Sequence, residues 1–183
     1  MRKYEPALRP GLAFLAVAIL SLTPAIASAK SVRDSEEVSR FFAEARTEAL
    51  QLQRSAEEMN SFAHFNISWQ TEAAKIAEVK LHFNKLGELV RKMNAAEAPS
   101  PWQQQAIGEV TPMVEELGSY ITMTIYHLGE SPDRLAFTSF PEYVAANADL
   151  ASDLAQLLSD YVEYGQAKQT VEELSFELGL PRS

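Results

Sequence analysis

The 183-residue chain contains no cysteine. That excludes a thiol nucleophile, a cysteine-ligated zinc, an iron–sulfur cluster and covalent haem attachment through C-x-x-C-H. Positive charge is scarce: 16 Lys and Arg stand against 25 Asp and Glu, a formal charge of −9. Contact with nucleic acid or an anionic membrane surface would be repulsive, so neither is expected as a partner. With seven glycines there is no phosphate-cradling Gly-rich loop, and neither G-x-S-x-G nor H-E-x-x-H occurs. The strongly apolar run Gly11–Leu22 is twelve residues long, short of the about 20 that a spanning helix needs.

That run has a different meaning. Arg2, Lys3 and Arg9 precede it, and Pro24 and the small-residue triplet Ala27-Ser28-Ala29 follow it. A basic start, a short apolar stretch and an A-x-A ending are the parts of a secretory signal peptide. Pro24 stops the helix and leaves an extended segment for the protease. Cleavage is expected after residue 29, with the mature chain beginning at Lys30. Residues 30–183 then form one domain with 13 basic and 24 acidic residues, a charge of −11. A domain of 154 residues buries a sizeable core without disulfide staples. The product is expected to be exported, periplasmic or extracellular, with no membrane span after processing.

Periodicity predicts four helices, at about 34–65, 69–94, 101–128 and 140–178, and no strand. In the first, Val38, Phe42, Ala45, Ala49, Leu52, Ala56, Met59 and Ala63 alternate steps of four and three, an apolar seam of four heptads. Asp34 or Ser35 is placed to cap it. The second carries Trp69, Ala73, Ile76, Phe83, Leu86, Val90 and Met93, with Ser68 as its cap. The third opens on Ser100-Pro101 and carries Ala106, Val110, Met113, Leu117, Ile121, Thr124 and Leu128, with Gly129 expected to stop it. Pro112 interrupts its pattern, but Gly108 stands four residues back, so a kinked, continuous helix is expected. The fourth carries Leu150, Leu154, Leu157, Tyr161, Tyr164, Val171 and Leu178, and Ser139 with Glu142 has capping-box spacing. At nearly 40 residues it must overhang the others or break near its start. Short links and amphipathic helices imply an all-α, antiparallel up-down-up-down four-helix bundle, monomeric or a homodimer. Exposed pairs such as Glu36–Arg40 and Glu88–Lys92 are expected to decorate the surface.

Candidate chemistry is sparse. A di-metal bundle needs two Glu-x-x-His pairs, but Ser61, Val79 and Thr124 stand three positions before His64, His82 and His127. The architecture resembles that of periplasmic four-helix cytochromes, which hold haem b between a Met and a His; Met59, Met93, Met113 and Met123 are the thioethers available. In compartment and helicity the chain also resembles small exported helical chaperones, without the Leu-Thr-x-x-Gln repeat of one such group. "SPWQQQ" (100–105) is unusual, and Trp102 beside a proline-started helix is expected to cover the end of the core. His64 and His127 end the first and third helices, which places them at one end of such a bundle. They are a candidate pair for a pH response or adventitious metal binding. No catalytic residue, resident metal or cofactor is assigned. The reading is an exported non-catalytic bundle that binds a protein or helix partner in the cell envelope. The alternative is a small-ligand or haem b carrier that uses the bundle interior.

Overall fold

All eight seam residues of the first helix, Val38 to Ala63, are buried along α1 (Glu36–Ala63). The 4-3 spacing that names them also keeps them on one stripe of a helix. Ser35 caps α1, its hydroxyl accepting the Val38 N–H at 3.3 Å. The structure, a computed structural model, describes residues 33–63, 68–130, 132, 135 and 139–180. The expected signal segment, 1–29, and His64 lie outside the described residues. After α1 come α2 (Trp69–Ala95), α3 (Pro101–Glu130) and α4 (Phe140–Glu177), and no strand occurs among the described residues.

The helices pack in a ring, α1 on α2 and α4, and α3 on α2 and α4. Named contacts mark each side. Glu58 meets Lys75 at 2.9 Å and Glu48 meets Lys85 at 3.4 Å across α1 and α2. Asn94 meets Thr111 at 3.0 Å across α2 and α3. Thr124 meets Asn147 at 2.8 Å across α3 and α4, and Gln53 meets Ser152 at 3.4 Å across α1 and α4. Both α1 and α4 bury three or more alanines, and they form the most extensively packed pair. Small side chains let two helix axes approach closely, so this face gains contact from backbone proximity rather than from bulk.

Three helices hold surprises. The α2 core row is Glu72, Ile76, Val79, Phe83, Leu86, Val90 and Met93, again in steps of four and three, with Leu89 beside it. It therefore starts at a carboxylate, while Trp69, the expected first member, is 44% exposed. α4 is not broken near its start but runs as one helix of 38 residues. Its buried face is Phe140, Val144, Asn147, Ala151, Leu154 and Leu158, flanked by Ala148, Ala155 and Val162. Of the expected row Leu154 is fully buried, Leu150, Leu157 and Tyr161 line the margin of the core, and Tyr164, Val171 and Leu178 are exposed. The inner face of α4 mixes Ala148, Ala151 and Ala155 with Phe140, Leu154 and Leu158, so side-chain size alone does not mark it. α3 adds Gln103, Ile107 and Val114 to the expected row, and Met113 sits at its margin.

Helix ends differ in detail as well. Ser68 caps α2, accepting the Thr71 N–H at 3.4 Å. Ser139 makes no side-chain cap bond, because its backbone (ψ 5°) is not in the extended conformation of a capping residue. Gly129 does not stop α3, which runs on to Glu130. α3 also continues unbroken through Pro112. Gly108 and Pro112 are both exposed, so the Gly108 carbonyl that proline leaves unbonded sits on the wet side of the helix. On the surface Arg40 pairs with Glu44 at 3.8 Å rather than with Glu36, and Glu88–Lys92 forms at 3.1 Å.

Glu72 is 3% exposed, and its Oε2 is buried with no hydrogen-bond partner among the described residues. Burial pushes its carboxyl above the ordinary carboxylate range. The fold therefore tolerates the protonated form, and the penalty grows as pH rises through that elevated value. Glu72→Leu is expected to raise stability at pH 8 by about 1–3 kcal/mol, the cost of an unsatisfied buried polar group. The gain shrinks toward pH 4, which thermal melts of both proteins at the two pH values will check.

Candidate functional site

The richest constellation grows from the start of α3, in the segment Ser100-Pro101-Trp102-Gln103. Pro101 supplies a pre-set first helical residue. Gln103, three residues into the helix, reaches back so that its Oε1 accepts the Ser100 N–H at 2.9 Å. This is one half of a capping box, and the Ser100 hydroxyl, expected as the cap, takes no part in it. The same Oε1 accepts the Ser35 N–H at 3.0 Å, while Nε2 donates to the Ser35 carbonyl and to Ser39 Oγ, both at 3.0 Å. Gln103 is fully buried. Its amide has two donors and two acceptor positions, and all four are used.

Trp102 lies beside this clamp. Its indole N–H donates to Asp34 Oδ1 at 2.7 Å, and Lys168 Nζ from α4 donates to the same oxygen at 2.7 Å. Burial alone would push the Asp34 carboxyl up. The hydrogen bonds to it, led by that from Lys168, together with the Lys168 charge, outweigh burial and hold it below the ordinary range. Burial would likewise lower Lys168, but Asp34 leaves its ammonium above its usual value. Rings gather around the indole: Phe42 at 5.9 Å, Tyr161 at 6.4 Å and Tyr164 edge-on at 5.3 Å. Gly165 makes room for it, since a Cβ there would stand 3.1 Å from the indole. The Tyr161 hydroxyl donates to Glu109 Oε2 at 2.6 Å, and burial together with that carboxylate pushes the phenol up to about 12.

Above these rings, between the first turns of α1 and the last third of α4, opens a cleft of about 550 Å³. Trp102 and Tyr161 contribute to its walls, and Arg33, Glu36, Gln169 and Glu172 to its rim. Its size suits a small ligand or an inserted side chain. Asp34 is bonded to Lys168 and Tyr161 to Glu109, so beside its aromatic surface the cleft offers the amides of Gln166 and Gln169 and the charged side chains of Arg33, Glu36, Arg40 and Glu172.

The expected histidine pair is placed only in half. His127 is partly buried, stacked on Tyr143 with centroids 5.1 Å apart and edge-on to Tyr126. His64 lies outside the described residues. His82 points to the surface of α2, its Nδ1 2.8 Å from Glu48 Oε2. Met59 and Met93 are core residues, while Met113 is half-buried and Met123 exposed. Among the described residues no three His, Asp or Glu side chains converge as a metal site. Also among them, no helix is long and apolar enough to cross a membrane. "SPWQQQ" was the sequence signal for this site. Asp34 is legible only as a cap, and the roles of Gln103, Gly165 and Lys168 depend on contacts between residues far apart in the sequence, with Ser39, Trp102 and Asp34 respectively.

Compared with protein-family models, with curated proteins and with solved structures, the chain matches none.

The Asp34 knot gives a pH-dependent expectation. Its depressed carboxyl contributes stability that is present above its unfolded value near pH 4 and is lost as pH falls through the folded value. Asp34→Asn is expected to cost about 1.5–3 kcal/mol at pH 7, the range for hydrogen bonds to a charged group. The difference from the parent closes in acid. Urea unfolding at pH 7 and pH 3 measures it, and an equal deficit at both would contradict the charge-based account.

Proposed function

We propose that this is an exported, non-catalytic bundle that binds a helix of a protein partner in the cell envelope. The observation that carries the reading is the far end of α4. The helix outlasts its neighbours: Gly165 is the residue against Trp102, at the start of α3, and Lys168 reaches Asp34, just before α1. α4 then continues to Glu177. Tyr164, Val171, Leu174 and Leu178 are each half exposed or more. Fully burying one Val or Leu is worth about 1.5–3 kcal/mol, so a covering helix would find a large gain there.

The order of the inter-helix contacts supports an antiparallel up-down-up-down course. From Glu48 to Glu58 on α1 the partners on α2 recede from Lys85 to Lys75. From Glu109 to Thr124 on α3 the partners on α4 recede from Tyr161 to Asn147. In such a bundle the Trp102 cleft and the α4 extension share one end, which gives a partner both a helix face and a niche. Export rests on the basic, apolar and A-x-A parts of residues 1–29. The haem alternative would need an imidazole in the core. Of the two histidines among the described residues, His82 is instead paired with Glu48, and His127 is stacked on Tyr143.

The test is cross-linking of the tagged full-length chain in its own cells, followed by envelope fractionation and mass spectrometry. The expected result is a chain that begins at Lys30, shows no Soret band and is joined to a second, different polypeptide in near-stoichiometric yield. Recovery of the chain alone, or a Soret band in the purified protein, would overturn the reading.

A further inference from the structure

Along α4 and onto Leu178, the residue that closes it, Tyr164, Ala167, Val171, Leu174 and Leu178 follow one another in steps of three and four. That is a coiled-coil seam, spanning about 21 Å at 1.5 Å per residue. It differs from the row that α4 turns into the bundle, which ends at Val162. All five residues are exposed. In heptad terms Tyr164, Val171 and Leu178 hold position a, and Ala167 and Leu174 hold d. Glu163 and Glu177 then hold g, the position that faces a partner's flanking charges.

The charges around this seam are not those that α4 needs for itself. A helix C-terminus is stabilised by cations, yet the last turn of α4 has no basic residue and the helix closes on Glu172, Glu173 and Glu177. The nearest cation on the helix, Lys168, is held by Asp34 at 2.7 Å. A second copy is a poor occupant. Laid antiparallel it would set Glu163 against Glu177 of the other copy, and laid parallel it would need the Lys168 that Asp34 holds. An anionic lipid surface is disfavoured by the same acidic flank.

We infer that the seam Tyr164–Leu178 receives an amphipathic helix with basic flanks, supplied by another protein. This rests on the partner-binding reading above and adds the class of partner and the face it uses. Apolar side chains at the partner's a and d positions cover Val171, Leu174 and Leu178, and its Lys or Arg residues meet Glu163 and Glu177.

Three synthetic 21-residue peptides test it by fluorescence anisotropy against the mature chain. One has leucines at a and d with lysines at the flanks. The second replaces those lysines by glutamates. The third keeps the basic composition but scatters the leucines around the helix. The first is expected to bind at least tenfold more tightly than either other peptide, and less tightly as salt is raised. Val171→Asp with Leu174→Asp should weaken it at least tenfold without lowering the melting temperature. Glu163→Lys with Glu177→Lys should turn the preference to the glutamate peptide. Equal binding of the scattered peptide, or insensitivity to the aspartate pair, overturns the inference. So does a concentration-dependent dimer of the parent that the aspartate pair dissolves. Cross-linking separates this from the general reading: a partner recovered equally from the parent and the aspartate pair sinks only the seam. No partner from either sinks the general reading as well.

Discussion

A buried primary amide stabilises a fold only when every one of its hydrogen-bonding positions is filled, because each orphaned one costs about 1–3 kcal/mol. Gln103 fills all four, with Ser100 three residues before it and with Ser35 and Ser39, 68 and 64 residues away. Ser35 and Ser39 belong to the start of α1, Ser100 to the link before α3. No apolar residue of similar size can substitute, because the Ser35 and Ser100 N–H groups lie at helix starts, where the helix itself supplies no acceptor. The amide thus welds two helix N-termini together and fixes where the bundle ends. Everything at that end is placed by it: Trp102 one residue away, Asp34 one residue before Ser35, and through Asp34 the Lys168 of α4.

The weld also explains why α4 can extend beyond its neighbours without fraying at the point of departure. Three contacts of different kinds hold it there. Tyr161 and Tyr164 pack around the indole, Gly165 lets the ring sit against the helix backbone, and Lys168 closes an ion pair that is only about a quarter exposed. A glycine inside a helix costs roughly 0.5–1 kcal/mol relative to alanine. Here that cost is offset by the packing of a tryptophan that a Cβ would push aside. Polarity without a partner among the described residues is not confined to one place: Glu72 and Asn147 each bury such an oxygen, and so does the Ser100 hydroxyl beside the Gln103 clamp.

How much of this could be read from the residues depended on whether the local pattern and the tertiary contact agreed. In α1 they agree at all eight core positions, because one apolar stripe faces one core. Four helices and their limits, to within two residues at the ends that are described, follow from the same periodicity and from Ser35, Ser68 and Pro101. In α2 Ile76, Phe83, Leu86, Val90 and Met93 face the core as the pattern predicts, but the start differs because the seam opens on Glu72, and nothing local marks a carboxylate as a core residue. α4 was misread because it has two apolar faces. The large side chains of Leu150, Leu157 and Tyr164 mark the margin and the outer seam, whereas the bundle is met by Ala148, Ala151 and Ala155 interspersed with Phe140, Val144, Leu154 and Leu158. The candidate site was half legible. "SPWQQQ" stood out as a motif, but that Gln103 faces inward is decided by backbone groups from another helix.

The Gln103 amide accepts the Ser35 and Ser100 N–H groups, and the rest of that end depends on those two bonds. Amide hydrogen exchange of the mature chain, read residue by residue by NMR, observes those two groups directly. Both are predicted to be protected as strongly as the core amides of α1, and to lose that protection together in Gln103→Leu. Fast exchange of either amide in the parent, or retained protection of both in the variant, would contradict the weld and the placement of the α4 extension that depends on it.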